Sequence, residues 1–118
     1  MSVIIDAYNI YKYIPNYLSL WVRKVIHAKI LVKGKVQNVG YRGYVKEIAG
    51  LMNLNGIARH CYGDVEIEVE VKNDAELEEF VNLIEKKKDE RLGIDVASVQ
   101  VVSKSLVDGP RFVKFSVE

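Results

Sequence analysis

Two stretches of the chain alternate apolar and polar residues with the two-residue period of a β-strand that buries one face. Ala28–Gly34 alternates small or apolar residues with lysines, and Asp64–Lys72 alternates without interruption. In the second stretch the two faces carry Val65, Ile67, Val69 and Val71 against Glu66, Glu68, Glu70 and Lys72. The pattern predicts that the apolar face is buried and that the glutamates face solvent.

Three further strands are predicted around these two. Gly56–Cys61 lies just before Asp64–Lys72, and the turn at Tyr62-Gly63-Asp64 joins the two strands into a hairpin. Val96–Val102 and Arg111–Glu118 are also predicted as strands, and the last one places its apolar residues on one face, namely Val113, Phe115 and Val117.

Two helices are predicted between the strands, because apolar residues recur there at helical spacing. One begins near Gly43 and the other near Ala75, with the apolar sets Val45, Ile48, Ala49, Met52 and Leu77, Phe80, Val81, Ile84. Asn73 followed by Glu76 is the arrangement of a capping box. The lysines at 86–88 suit the C-terminal end of the second helix, and we interpret them as a solvated helix end rather than a binding patch.

The order strand, helix, strand, strand, helix, strand, followed by a C-terminal strand, defines the predicted fold class. It predicts an α+β ferredoxin-like two-layer sandwich, βαββαβ plus a C-terminal strand, with two helices on one face of an antiparallel sheet. We assign this domain to residues 28–118 and treat residues 1–27 as an N-terminal extension.

Composition narrows the function classes. The 118 residues carry 17 basic and 16 acidic side chains, whereas dedicated nucleic-acid binders have a clear basic excess. No run of about 18 apolar residues that could span a membrane is present. One cysteine and two histidines are too few for a closed zinc site. Since the single Cys61 suits a reducing compartment, we expect a cytoplasmic protein without metal, nucleic-acid or membrane partners.

The loop between the first strand and the first helix is the best candidate for chemistry. Unpaired N–H groups at a helix N-terminus converge on one point and favour an anion there. Gly34 and Gly40 let the backbone curl, and Asn38 tolerates a positive φ. Arg42 adds a guanidinium that can hold two phosphate oxygens. From the residues alone, a tight turn with a surface charge remains an equal alternative.

Residues 34–42 resemble the signature of the acylphosphatase family, Gly-x-Val-Gln-Gly-Val-x-Phe-Arg. They match at Gly34, Val36, Gln37, Val39 and Arg42, with Tyr41 as the aromatic residue and Asn38 in place of glycine. The resemblance extends over residues 28–118. It implies hydrolysis of the carboxyl–phosphate bond of acyl phosphates without metal or cofactor. It also implies that small acyl phosphates or inorganic phosphate bind to the backbone of Gln37, Asn38, Val39, Gly40, Tyr41 and Arg42, with Arg42 as a catalytic clamp.

A second family motif, Gly-Trp-Val-x-Asn, is altered in this chain. The matching stretch is Gly56-Ile57-Ala58-Arg59-His60, so that His60 stands where the family asparagine positions the attacking water. We expect His60 to take over this catalytic role with weak activity. The alternatives are a catalytically inactive anion-binding or regulatory relative and a strand histidine without a role. Adjacent strand residues face opposite sides, so Cys61 and His60 do not form a nucleophilic pair.

Residues 1–27 lie outside the resemblance. In Asn16–His27, apolar residues recur at helical spacing after Pro15, which predicts a short amphipathic helix; they are Leu18, Trp21, Val22 and Val25. Three interpretations stay open for the extension: packing on the domain, a homodimer or other partner contact, and upstream codons added by a misplaced start.

Overall fold

The computed structural model describes residues 24–37 and 39–118 as a sheet with two helices. The elements are β1 (Val25–Lys35), α1 (Tyr41–Leu51), β2 (Asn55–Cys61), β3 (Asp64–Val71), α2 (Asp74–Glu85), β4 (Lys88–Asp89), β5 (Ile94–Val107) and β6 (Phe115–Val117). Neither helix of this part of the chain is long and apolar enough to cross a membrane.

The sheet has the strand order β4-β5-β1-β3-β2-β6. Strand β1 runs antiparallel to both β3 and β5, and β2 pairs with β3 as the predicted hairpin. These four strands and the two helices confirm the α+β ferredoxin-like sandwich. The prediction of a wholly antiparallel sheet is wrong at one edge, because the short β6 pairs in parallel with β2.

Both helices pack on the same face of the sheet, as their apolar stripes require. The alternating valines and isoleucines of β1 and β3 are fully buried against the helices. The hydroxyl of Tyr41 donates to the carbonyl oxygen of Ile84 at 3.1 Å, and that of Tyr44 donates to Leu83 at 3.0 Å. Because these two bonds join the start of α1 to the end of α2, they fix how the helices sit side by side.

The helix boundaries follow local chemistry. Asn73 caps α2, since its side-chain oxygen accepts from the Glu76 N–H at 2.8 Å. The Glu76 carboxylate accepts in return from the N–H of Lys72, one residue before the position expected in a capping box. Helix α1 begins at Tyr41, two residues before Gly43. The lysines at 86–88 follow the last turn of α2, and Lys87 lies over the Tyr44 ring at 4.7 Å.

Two predicted elements differ from the structure at the chain ends. Residues 25–27 belong to β1, so the helix predicted for Asn16–His27 is wrong there; its remainder lies outside the described residues. The last strand contains three residues instead of eight. Phe115 is buried, whereas Val113 precedes the strand and is 94% exposed. Alternation alone overestimated this strand, because only Phe115–Val117 pairs with a neighbouring strand, at Gly56–Ala58 of β2.

The glutamates of β3 do not face open solvent, which corrects the prediction for that face. Glu70 is only 6% exposed, and its carboxylate accepts from the N–H groups of Arg111 at 2.7 Å and Phe112 at 3.1 Å. The Phe112 ring stacks on the His27 ring with centroids 5.8 Å apart. The segment before β6 therefore crosses the sheet face opposite the helices, and Glu70 holds it there.

Replacing Glu70 tests this attachment. We expect Glu70→Ala to lower the free energy of unfolding by about 1–3 kcal/mol, because it leaves buried N–H groups without an acceptor. Urea unfolding followed by circular dichroism measures the change. The matched control is Glu79→Ala, since Glu79 is exposed on α2, and it should stay within about 0.5 kcal/mol of wild type. Equal effects of the two substitutions would contradict the role of Glu70.

Candidate functional site

The loop after β1 is anchored on both sides of its midpoint. Val36 is buried in the core, and Val39 is half-buried against it. The side-chain amide of Gln37 donates to the carbonyl oxygen of Asp64 at 3.3 Å. This bond ties the loop to the start of β3, at the turn of the β2–β3 hairpin. The predicted site residue Asn38 lies outside the part of the chain that the structure describes.

Helix α1 starts at Gly40 with no side-chain cap. Gly40 has a φ of 85°, in the left-handed region, and the first turn of the helix contains no acidic residue. The Tyr44 N–H donates to the Gly40 carbonyl at 3.1 Å and begins the helical ladder. The N–H groups before Tyr44, those of Tyr41, Arg42 and Gly43, have no carbonyl one turn back within the helix. An anion at this end would meet these donors and the positive end of the helix dipole.

Gly34 has a different role from the one expected. It lies inside β1, where the pairing with β5 changes register, rather than in the loop. Its φ is 131°, and a Cβ would collide with the carbonyl oxygen of Asp95 and lie 2.6 Å from the nitrogen of Ala97. Glycine is therefore needed at this position because β5 passes close to the backbone of β1.

Tyr41 contributes its backbone to the loop and its side chain to the core. The ring is fully buried, and burial raises the pKa of its hydroxyl above the ordinary value. The hydroxyl remains a hydrogen-bond donor to Ile84 instead of pointing into the loop. Tyr41, Val45 and Ala49 share the buried face of α1 at a spacing of four residues. This spacing is visible in the sequence and could have revealed the core role of Tyr41.

Arg42, in the first turn of α1, reaches the end of the sheet. Its Nη1 donates to the main-chain oxygen of Glu118, and the N–H of Glu118 donates to the carbonyl of Ala58 on β2 at 2.9 Å. The first contact uses one of the five donors of the guanidinium. Sequence reasoning missed this partner because it is a backbone group 76 positions away.

His60 lies at the same end of the sheet as Arg42 and Gln37. It pairs across the hairpin with Val65, so it is on the helix side of β2, and it is exposed. Ala58 lies two residues before His60 on the same face of β2, about 7 Å away. Its carbonyl accepts from the N–H of Glu118, whose main-chain oxygen accepts from Arg42. Gln37 is bonded to Asp64, which adjoins Val65. The fold thus brings the loop, Arg42 and His60 to one end of the sheet.

Arg59 is turned away from this site. Its Nη1 lies 2.7 Å from Glu66 and 2.6 Å from Glu68, on the sheet face opposite the helices. The hydrogen bond to Glu68 raises the pKa of Arg59 above its ordinary value, although partial burial acts against it. Its positive charge is already balanced by two carboxylates. An accessory anion contact from Arg59 is therefore not supported.

Glu68 is also bonded to His27, whose Nε2 lies 3.0 Å from its Oε1. Partial burial raises the pKa of Glu68, but the hydrogen bonds and charges of Arg59 and His27 outweigh burial and hold it below 4.5. In this cluster Glu68 is bonded on both sides, whereas the Nδ1 of His27 is buried without a hydrogen-bond partner in the described part of the chain, 3.8 Å from the Glu70 carboxylate. Among the described residues, no group of three or more His, Cys, Asp or Glu side chains is placed to hold a metal ion.

The sequence and the fold are similar to those of known proteins. The profile of the family described as Acylphosphatase matches residues 28–117. An acylphosphatase of Methanospirillum hungatei is 38% identical over 80 residues, which are 67% of this chain and 85% of that protein. The crystal structure of acylphosphatase from Bacillus subtilis matches 79% of this chain and 98% of its own with a TM-score of 0.63. At 24% identity, that likeness concerns the fold alone.

A third relative is a much longer protein. The probable carbamoyltransferase HypF of Methanocaldococcus jannaschii is 35% identical over 75 residues, which are 64% of this chain but 10% of that protein. The similarity thus covers a small part of HypF. The same kind of sequence therefore occurs both in a protein of similar length and as one part of a larger one.

The ion pairs of Glu68 give the stability of the fold a defined pH dependence. A lowered pKa in the folded state stabilises the fold above 4.5, and this contribution is lost as the pH falls through the lowered value. We expect Glu68→Gln to destabilise the protein near neutral pH and to converge with wild type in acid. Urea unfolding across this range measures the difference, with Glu79→Gln as the exposed control. A difference between Glu68→Gln and wild type that does not change with pH would be inconsistent with this role.

Proposed function

Because this chain belongs to the acylphosphatase family, we propose that it hydrolyses the carboxyl–phosphate bond of small acyl phosphates. One observation carries the proposal: an uncapped helix start with Arg42 in its first turn lies at the sheet end that carries His60. The products are a carboxylate and inorganic phosphate. The proposed reaction uses no metal or cofactor, and we assign the protein to the cytoplasm because its single cysteine suits a reducing compartment.

The phosphoryl group is held by the loop in this proposal. Backbone N–H groups of residues 37–42 donate to its oxygens, and the guanidinium of Arg42 binds them with its remaining donors. A hydrogen bond to a charged group contributes about 1.5–3 kcal/mol. Gln37, Val36 and Val39 anchor the described part of the loop before the substrate arrives. The donors of the loop and of Arg42 stabilise the charge that spreads over the phosphoryl oxygens in the transition state.

Water is the nucleophile. Its oxygen attacks phosphorus, the bond from phosphorus to the acyl oxygen breaks, and the carboxylate leaves with that bonding pair while the water proton passes to solvent. His60 would position this water from the end of β2. A neutral imidazole offers one donor and one acceptor, as an amide does, but across a wider ring. We therefore propose slow hydrolysis, because the imidazole aims its donor and acceptor less closely than the amide does.

A second candidate function is anion binding without hydrolysis. It is favoured by His60, which replaces the water-positioning amide of the family, and by the HypF relative, in which the similar region is one part of a longer protein. In this alternative the loop and Arg42 bind phosphate as a regulatory or recognition site. The two functions share the loop and differ only in what His60 does.

Hydrolysis of benzoyl phosphate by the full chain tests the proposal. We expect slow turnover in wild type and a loss of about 10²-fold or more in Arg42→Ala, as for other groups that stabilise transition-state charge. His60→Asn should raise the rate, because it restores the amide. Lys46→Ala is the matched control for Arg42, since Lys46 is exposed one turn later on α1, and it should retain wild-type turnover.

Two results would overturn parts of this account. Turnover that survives Arg42→Ala would remove Arg42 and the loop from the site. No turnover in wild type or in His60→Asn, with inorganic phosphate still bound, would replace hydrolysis by the anion-binding function.

A further inference from the structure

An open groove runs between helix α2 and the edge of strand β5. It consists of two adjoining cavities of about 270 and 300 Å³, and the ion pair between Asp74 and Lys104 at 2.8 Å borders both. We call this feature the α2–β5 groove. Its apolar lining consists of Ile26 and Leu106 at one end and Leu77, Val81 and Val101 at the other.

The groove is apolar because β5 extends beyond the helices that cover the sheet. Val101 pairs with Ile30 and Leu106 pairs with Ile26, and Ile30 is part of the buried helix-side face. Val101 is nevertheless 38% exposed and Leu106 is 64% exposed. The Asp74–Lys104 ion pair separates the two apolar ends of the groove, and exposed apolar surface of this kind is typical of contact sites. A further element lying beside α2 would extend the helix layer over this edge.

The chain itself enters the fold at one end of the groove. Lys24 lies 3.6 Å from Asp108, Val25 pairs with Val107, and the next residue, Ile26, lines the groove. The 23 residues before Lys24 therefore reach the fold at this point. Trp21 is five residues from Ile26, a span of at most about 17 Å. The five residue steps along β5 from Leu106 to Val101 cover a similar distance.

The sequence before Lys24 matches the chemistry of the groove. Leu18, Trp21 and Val22 are apolar at helical spacing, and Arg23 and Lys24 follow them. On the rim, Asp74 is paired with Lys104, and Glu78 on α2 is the remaining acid. Ile26 and Leu106 give an apolar side chain a surface to pack against at the end where the chain enters. A tethered segment also has an effective concentration in the millimolar range, which favours it over a free partner.

We propose that residues 16–23 of this chain dock in the α2–β5 groove, with the indole of Trp21 beside Ile26 and Leu106. The groove lies away from the loop and Arg42. The docking is therefore independent of the proposed hydrolysis, and it assigns a purpose to the apolar residues of the N-terminal extension.

Trp21 is the single tryptophan of the chain, so its fluorescence reports directly on this contact. In the full chain we expect short-wavelength emission and weak quenching by acrylamide. Leu106→Glu, at the proposed contact, should shift the emission to longer wavelength and raise quenching several-fold. Val101→Glu, at the other end of the groove, provides a second variant. Leu51→Glu is the matched control, because Leu51 is 76% exposed on α1, and it should change neither quantity.

Three outcomes would overturn the docking. Trp21 in the wild-type chain could show the emission and quenching of free tryptophan. Circular dichroism could show both groove variants to be folded while Trp21 stays protected in each. Protection could also be lost on dilution, together with a change of mass from dimer to monomer in sedimentation. That last result would make a second copy of the chain the occupant, as in the homodimer expected through residues 1–27.

Discussion

Helix α1 begins at a glycine in the left-handed conformation, and no side chain caps it. Because no side chain caps the helix, its first N–H groups have no partner from a capping residue. A helix start usually satisfies its first N–H groups with Ser, Thr, Asp or Asn at the N-cap. Here the first turn contains arginine and no acid. In the proposed function, these free N–H groups and Arg42 are the donors for a ligand that brings its own negative charge.

The charges on the sheet face opposite the helices are used within the protein. On that face, Arg59, His27, Glu66, Glu68 and Glu70 bind one another or the backbone before β6. The net charge of the chain is +1, so bulk attraction contributes little to anion binding. Affinity for an anion must therefore come from local geometry. Glu70 holds the segment that leads into β6 and to Glu118, whose main-chain oxygen accepts from Arg42.

Much of the fold could be predicted from local pattern because periodicity and capping act within a few residues. The two helices, the hairpin turn and the Asn73 cap are of this kind. The errors involve partners far along the chain. Glu70 is buried by residues 111 and 112, and Gly34 is required by β5. The same holds for the candidate site. The loop and Arg42 could be predicted because they form a local sequence motif. The backbone partner of Arg42, and the position of His60 at the same end of the sheet, could be found only from the structure.

The central claim is that the loop and Arg42 hold a phosphoryl group. A titration of the full chain with inorganic phosphate, followed through backbone amide chemical shifts, tests it most directly. The account predicts saturable shifts concentrated in the amides of residues 37–43, weakened by Arg42→Ala and unchanged by Lys46→Ala. Shifts that do not saturate, or that centre on the exposed lysines of α1 and of the segment before β6, would contradict it.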